Sequence, residues 1–205
     1  DTNRPIIWQV SDGGTTNTPV IVRGSTNPAG SWIVATNRFT AGAFMFMEAN
    51  HIDIRDLGFV GESVRFLGDS ITASNLWVTN GTVTINGENA VFKKLQLDRG
   101  NLSFSGSNNR IERMEQRWGQ ASLVGTNITL LNSVVFTTNN LTTALVVNAL
   151  GATVSNSTVV ATRGTAVGKL GAGTLRLGHN ILVAGGSDSN SVLAWHDGGL
   201  ISDWN

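Results

Sequence analysis

The chain has 205 residues, 14 basic against 14 acidic side chains, and charged residues at only 14% of the total. This length suits one domain with a continuous core, and the balanced charge provides no field to attract nucleic acid or an anionic membrane surface. There is no cysteine, which excludes disulfides and thiolate metal sites. No stretch approaches the roughly 18 apolar residues that cross a bilayer. The 24 glycines and 3 prolines are typical of many short strands joined by tight turns.

The N-terminal segment, 1–18, is predicted to cap its end of the domain or to cover it with a strand. Its apolar residues are Ile6, Ile7, Trp8 and Val10. The chain begins at Asp1 without a Met or a charged-then-apolar leader. We therefore expect a processed or excised segment of an exported protein.

An eight-position pattern, apolar-x-apolar-x-x-apolar-x-apolar, recurs along the chain. It begins at Ile52, Ile71, Ala90, Ile111, Ile128, Ala152 and Leu175. A second apolar pair follows at a constant offset in the first four repeats, beginning at Val64, Val83, Leu102 and Leu123. A period of about 20 residues with short strands in each turn is typical of a solenoid whose coils cover one another's interior. The pattern predicts an all-β right-handed parallel β-helix of about eight coils of roughly 20 residues, in one domain over 1–205.

The fifth position of the pattern is where each strand is predicted to bend. It holds Asp56, Asn75, Asn132 and Asn156, with Lys94 and Glu115 as exceptions, while Asn180 lies one position off register. Stacked Asn side chains could hydrogen-bond the backbone of the coils above and below. Turn propensity alone also explains these residues.

Several segments resemble a known family of proteins. They are HIDIRDLGFVG at 51–61, NITLLNSVVF at 127–136 and TLRLGHNILVAGG at 174–186. They are similar to the right-handed parallel β-helix repeat proteins of the pectate-lyase-like superfamily, in particular its bacterial extracellular and surface members. The resemblance covers essentially the whole chain and implies an extracellular or cell-surface location. That superfamily includes lyases, hydrolases, adhesins and non-catalytic surface proteins, so the resemblance leaves the activity open.

The basic residues of the sequence are concentrated in one segment. Its members are Lys93, Lys94, Arg99, Arg110, Arg113 and Arg117. A polysaccharide lyase needs a base, and either Ca²⁺ or a cationic side chain to neutralise the acid of its substrate. Lys94 and Arg113 are separated by one repeat, which places them on neighbouring coils and makes them the candidates for that chemistry. Ion pairing between coils with the interleaved acids also explains the cluster.

No metal site or cofactor is expected from the sequence. Its three histidines lie on separate coils. Asp188, Asp197 and Asp203 fall in the last coil, where oxygen ligands could hold Ca²⁺, although exposed loop positions explain them better. Asp53 and Asp56 are the closest pair of carboxylates for a glycosidase, and solvated strand and corner positions explain them better.

Two tryptophans have opposite predicted orientations. Trp77 is predicted to point outward, because Leu76 and Val78 on either side of it occupy inward positions. An outward Trp could stack on a sugar ring, form a contact between subunits, or be covered by a loop. Trp118 falls on an inward position of the pattern and is predicted to lie in the core.

The C-terminal end is predicted to lack a cap. Leu200, Ile201 and Trp204 look like the start of another coil that stops at Asn205. Because an open end exposes apolar interior and strand edges, we expect self-association through the terminal coils. The expected function is a non-catalytic extracellular structural or adhesive module, able to stack into a filament or surface layer. The alternative is a polysaccharide lyase, or a carbohydrate-binding β-helix derived from one. Neither a nucleic-acid partner nor a membrane span is expected.

Overall fold

The computed structural model describes residues 6–8, 11, 13–23, 44–61, 63–138, 143–185 and 194–203. The regular structure in these ranges consists of short strands. They are β1 (Ile6–Trp8), β2 (Val20–Arg23), β3 (Phe44–Met47), β4 (Ile52–Val60), β5 (Ser63–Phe66), β6 (Thr72–Thr79), β7 (Thr82–Glu88), β8 (Val91–Asp98), β9 (Asn101–Ser107), β10 (Arg110–Glu112), β11 (Glu115–Arg117), β12 (Ala121–Thr126), β13 (Ile128–Leu131), β14 (Val134–Thr137), β15 (Leu145–Ala149), β16 (Gly151–Ser155), β17 (Thr158–Ala161), β18 (Val167–Lys169), β19 (Thr174–Gly178), β20 (Ile181–Ala184), β21 (Ala194–His196) and β22 (Gly199–Asp203).

The strands stack into two parallel sheets. Sheet A runs β1-β3-β5-β7-β9-β12-β15-β18-β21, one strand from each coil. Sheet B begins with β2 and the long strands β4, β6 and β8, and continues as two shorter strands per coil up to β20 and β22. We call the part of sheet B before each bend face 1 (for example Thr72–Ser74) and the part after it face 2 (Leu76–Thr79). About seven coils follow one another from β4 to β22, which confirms the predicted parallel β-helix.

The interior of the solenoid is a continuous apolar column. Alternate residues of each strand point inward, as in Ile52 and Ile54 of β4 or Val83 and Ile85 of β7, all at most 1% exposed. The largest fully buried side chains include three phenylalanines. Phe92 packs edge-to-face against Phe66 and Phe104, with ring centroids 5.3 and 6.1 Å apart. Successive coils are therefore held together through the core as well as through the sheets.

The coils turn at residues in the left-handed backbone region. The bend between faces 1 and 2 is formed in seven coils by Asp56, Asn75, Lys94, Arg113, Asn132, Asn156 and His179, with φ from 50° to 60°. These residues keep the hydrogen bonding between coils. For example, the amide of Arg113 donates to the carbonyl of Leu131 at 3.0 Å. The bend thus changes the direction of the strand without leaving the ladder unpaired.

The bends correct the predicted register of one coil. Arg113, and not Glu115, occupies the bend, so this repeat begins at Asn109 instead of Ile111. Ile111 pairs with Phe92, and Glu115 lies on the strand beyond the bend, paired with Gln96. The repeat starts between Ile52 and Ile128 are therefore equally spaced, and the second apolar pair of this coil begins at Ala121, which pairs with Leu102.

The error in the predicted register of this coil has a physical cause. Asn109 is polar, but it is 1% exposed and points into the solenoid. Its Oδ1 accepts a hydrogen bond from the amide of Ala90 at 2.8 Å, and its Nδ2 donates to the carbonyls of Gly87 and Ser105 at 2.7 and 2.8 Å. Because the side chain is fully bonded, burial is tolerated at a position where the pattern requires an apolar residue.

The predicted core position of Trp118 is wrong. With the corrected register, Trp118 falls on the bend between face 2 and sheet A, at φ 57°. Its side chain is 40% exposed.

The two ends of the chain contribute edge strands. Ile6–Trp8, in the segment predicted as a cap, forms β1, which pairs with β3 at the edge of sheet A. Val10 and Trp204 lie outside the described residues. Within the described ranges, no helix has the length and apolar character needed to cross a membrane.

Candidate functional site

The outward side chains of face 2 form two columns along the solenoid. The first contains Gly58, Trp77, Gln96, Glu115, Val134, Thr158 and Ile181, and the second contains Thr79, Asp98, Arg117, Phe136, Val160 and Val183. The coils before residue 118 present aromatic, amide and charged groups. From Val134 onward the same columns are mostly apolar, and Val134, Ile181 and Val183 are exposed.

A cleft of about 310 Å³ lies on the polar half of face 2. It is lined by Trp77, Gln96, Leu97, Asp98, Glu115, Arg117 and Trp118. These residues come from three successive coils, so the regular repeat of the chain brings them together. The cleft combines two large aromatic rings with hydrogen-bonding groups, as ligand sites commonly do.

Trp77 lies on the outer face between two buried neighbours. Leu76 and Val78 are 2% and 1% exposed and point into the core. The indole packs over Gly58 of the preceding coil, since a methyl group at Gly58 would lie 3.2 Å from Cε3 of Trp77. The lack of a side chain at Gly58 thus lets the ring lie close to the sheet.

Trp118 closes another side of the cleft from its bend. Arg99 occupies the same bend in the preceding coil, and both residues have left-handed φ values, 55° for Arg99 and 57° for Trp118. The guanidinium carbon of Arg99 lies 5.5 Å from the centroid of the Trp118 ring. This is the geometry of a cation–π contact, which holds the ring in place.

The charged residues of the cleft differ in how they are partnered. Glu115 and Arg117 form an ion pair along β11, with side chains 39% and 58% exposed. Asp98 lies between Thr79 and Arg117 in the second column. Oδ1 of Asp98 and Oγ1 of Thr79 are buried and have no hydrogen-bond partner among the described residues. Asp98 therefore brings to the cleft a carboxylate that has no ion-pair partner among the described residues and has one buried oxygen.

Lys94 and Arg113 lie next to each other, away from the cleft. They occupy the bend between faces 1 and 2 in neighbouring coils, where both are exposed. Neither residue lines the cleft.

The ion pairs of the basic cluster lie within strands. Arg110 pairs with Glu112 and Arg117 with Glu115, because alternate side chains of one strand share a face. The hydrogen bond from Arg110 lowers the pKa of Glu112, against the opposing effect of burial and with further help from the charges of Lys93 and Arg113. Pairing between coils, one of the two sequence-based explanations of the cluster, is not how these two arginines are neutralised.

The predicted Asn corner is a real bend with mixed occupants. Nδ2 of Asn75 donates to Oδ1 of Asp56 at 2.8 Å. Asn132 and Asn156 occupy the same bend in two later coils. The backbone N–H groups of Asn132 and Asn156 each donate to a carbonyl of the following coil, at 3.0 Å.

A column of stacked polar side chains, which we call the inner ladder, lies inside the solenoid one position past the bend. The sequence pattern does not indicate it. Ser133, Ser157 and Asn180 are buried there. Oγ of Ser157 accepts from the amide of Ser133 at 3.1 Å, and Oδ1 of Asn180 accepts from the amide of Ser157 at 2.9 Å. Asn180, which is one position off the predicted register, belongs to this inner ladder, and His179 holds the bend.

The remaining candidate residues lie apart from the cleft. Asp53 bonds Arg55 and raises the pKa of that guanidinium. Asp197 and Asp203 are exposed, and Asp188 lies outside the described residues. No group of three or more His, Asp or Glu in the described ranges is arranged to hold a metal ion.

In the last described strand, β22, the neighbouring side chains of Leu200 and Ile201 face opposite sides of the sheet. Leu200 packs against the core, and Ile201 is 45% exposed on the outer surface of β22. Trp204, the third residue of the expected assembly end, is not among the described residues.

Comparison with known proteins found no matching family model, no matching curated protein and no matching solved structure.

Proposed function

We propose that the chain is a non-catalytic extracellular β-helix module, related to the surface proteins of the pectate-lyase-like superfamily, that binds saccharide chains on face 2. The observation that carries this proposal is the cleft with Trp77 and Trp118 at its sides. A flat indole offers an apolar surface to the C–H groups of a sugar ring. Gln96 and Asp98 between the rings can bond its hydroxyl groups.

The ion pair in the cleft and the positions of the other charged residues favour saccharide binding over catalysis. Glu115 is engaged by Arg117, and Lys94 and Arg113 lie outside the cleft. A lyase would need its base and its neutralising cation at the position of the bound substrate. An adhesive module needs only the platform and the hydrogen-bonding groups.

The experiment is a binding titration of oligosaccharides against the wild-type chain, Trp77→Ala and Trp118→Ala. Each substitution is expected to weaken binding about tenfold, which corresponds to about 1.4 kcal/mol. Thr158→Ala, which changes an outward residue of the same column beyond the cleft, should bind like the wild type. If neutral, amino and uronate oligomers all fail to bind, or if both Trp variants bind normally, the proposal is wrong.

A second measurement separates binding from turnover. Uronate polymers incubated with the chain, with and without Ca²⁺, are expected to develop no absorbance from unsaturated product. Product formation would establish the lyase alternative. Loss of that activity in Lys94→Ala and Arg113→Ala would then place the chemistry at the bend between faces 1 and 2.

We also propose that the module stacks end to end. Among the described residues, sheet B ends in β2 on one side and β22 on the other, and their outer surfaces carry Ile21 and Ile201, 60% and 45% exposed. These two residues belong to one outward column of face 1, connected coil by coil through the strand register. Addition of β22 of one copy to β2 of another would place the isoleucines side by side. Such a head-to-tail contact generates a filament.

Light scattering over a range of protein concentrations tests the stacking. The apparent mass is expected to rise with concentration for the wild type and to stay at the monomer value for Ile201→Lys, because charge on an edge strand opposes strand addition. Val134→Lys, an equivalent change in the middle of face 2, should assemble like the wild type. A monomer at every concentration, or equal behaviour of the two variants, would refute this role.

A further inference from the structure

The charges of the cleft limit the saccharides that it can accept. Its lining contains two carboxylates, on Asp98 and Glu115, and one guanidinium, on Arg117. That guanidinium is already paired with Glu115. The lining therefore has no unpaired cation to offer a sugar carboxylate. The guanidinium of Arg99, outside the lining, lies against the ring of Trp118, and a uronate would also meet the negative charge of Asp98.

Asp98 shows which kind of group the cleft can receive. Its buried Oδ1 lacks a partner among the described residues, and so does the hydroxyl of Thr79 beside it. Because Oδ1 is shielded from solvent, a ligand in the cleft would meet Asp98 through the rest of its carboxylate, and a ligand that brings a donor to this group is favoured. A charged N–H donor forms a hydrogen bond to a carboxylate that is roughly twice as strong as one from a neutral group.

The aromatic rings favour the same kind of ligand. The faces of tryptophan attract cations, and Trp118 already holds the guanidinium of Arg99 at 5.5 Å. Trp77 supplies a second indole to the lining of the cleft. A positive group between Trp77 and Asp98 would interact favourably with both.

We propose that the cleft selects glycans that carry ammonium groups, such as polymers of amino sugars with free amines, over N-acetylated and uronate polymers. Asp98 accepts the hydrogen bond from the ammonium, and Trp77 stacks on the ring that bears it. This inference rests on the proposed saccharide-binding function, and it defines the chemical class of the ligand.

Calorimetric titrations with oligomers of equal length test the inference. The probes are glucosamine, N-acetylglucosamine and galacturonate oligomers, at a pH below the pKa of the sugar amine. Glucosamine oligomers are expected to bind at least about tenfold more tightly than N-acetylated ones, with an affinity that falls as salt is added. Asp98→Asn should lose most of this preference and most of the salt dependence.

Two controls test whether the effect of the substitution comes from the side chain of Asp98. Glu88→Gln removes one negative charge from an exposed position at the end of β7 and should leave the preference intact. Circular dichroism should show the same fold and thermal midpoint for Asp98→Asn as for the wild type. The salt dependence of wild-type binding needs no variant and gives an independent readout.

The possible outcomes separate this inference from the one on which it rests. Equal binding of glucosamine and N-acetylglucosamine oligomers, or tighter binding of galacturonate, overturns the ammonium preference and leaves saccharide binding standing. An unchanged preference in folded Asp98→Asn also overturns it. Failure of all three oligomers to bind refutes saccharide binding itself.

Discussion

At the scale of single residues, the bends of the solenoid carry conformational cost wherever Asn or Gly is absent. Lys94 holds a φ of 56° in the bend where Asn75 and Asn132 hold 60° and 50°. Left-handed backbone costs an ordinary side chain roughly 1–2 kcal/mol, and Asn tolerates it better because its amide bonds locally.

Lys94→Asn is therefore expected to stabilise the protein by about 0.5–1 kcal/mol. The measurement is the urea midpoint of unfolding at constant slope. Lys93→Asn places the same side chain in extended backbone one position earlier and should bring no gain. A loss of stability in Lys94→Asn would mean that contacts of the lysine stem outweigh the backbone term.

Close stacking of the coils makes certain glycines necessary. Gly106 has a φ of 108°, and a methyl group there would overlap the carbonyl oxygen of Gly87 in the preceding coil. Backbone atoms cannot move away cheaply, because they belong to the sheet ladder. The equally spaced glycines at 68, 87, 106 and 125 would have revealed the register from the sequence alone.

Gly106→Ala should destabilise the fold by several kcal/mol, on the order of 3 or more, since overpacking and backbone strain add. Thermal unfolding followed by circular dichroism measures it. Gly178→Ala is the matched control, because a methyl group there lies 3.7 Å from the nearest atom, Oγ of Ser155. Similar melting curves for the two variants would contradict the close approach at Gly106.

At the scale of the strands, stability is linked to pH through ion pairs on the outer faces. On β10, Nε of Arg110 donates to Oε1 of Glu112 at 2.8 Å and lowers the pKa of that carboxyl. A carboxyl whose pKa is lower in the folded state stabilises the fold above its unfolded pKa. That contribution disappears as the pH falls through the lower, folded value.

Glu112→Gln is expected to reduce stability at neutral pH by a small amount and to make no difference in strong acid. The two unfolding midpoints should converge as the pH falls below the ordinary carboxyl pKa of 4.5. Urea titrations at a series of pH values measure the convergence. A gap for Glu112→Gln that stays constant across the pH range would contradict the linkage.

At the scale of the whole molecule, the solenoid is a one-dimensional stack in which each coil depends on its neighbours. Phe92 contacts Phe66 and Phe104 and is fully buried. Loss of its ring would leave a cavity between coils that the surrounding sheets cannot close.

Phe92→Ala is expected to lower the free energy of unfolding by about 3–5 kcal/mol. Hydrogen exchange should show the loss of protection in the strands on both sides of β8, because they share the same core contacts. Val91→Ala, on the outer surface of the same strand, should change stability by less than about 1 kcal/mol. Loss confined to β8 would argue against coupling between coils.

The candidate site was only partly accessible to sequence reasoning. Trp77 stood out because its neighbours are inward residues, and that alternation is local. The sequence pattern predicts a core position for Trp118 because the buried Asn109 displaces the apparent start of its repeat. The environment of Asp98 could not be predicted, since the burial of its Oδ1 and the absence of a donor to it among the described residues depend on the coils before and after it.

Local alternation and a regular repeat were enough to determine a parallel solenoid, because a strand with one apolar side must cover it and equal spacing allows every coil to cover the next. The cleft was decided only by the tertiary structure. It is made of residues from successive repeats, whose alignment along the solenoid depends on the true register. The buried Asn109, satisfied by three hydrogen bonds, occupies a position where the apolar pattern requires an apolar residue, so the pattern misses that register.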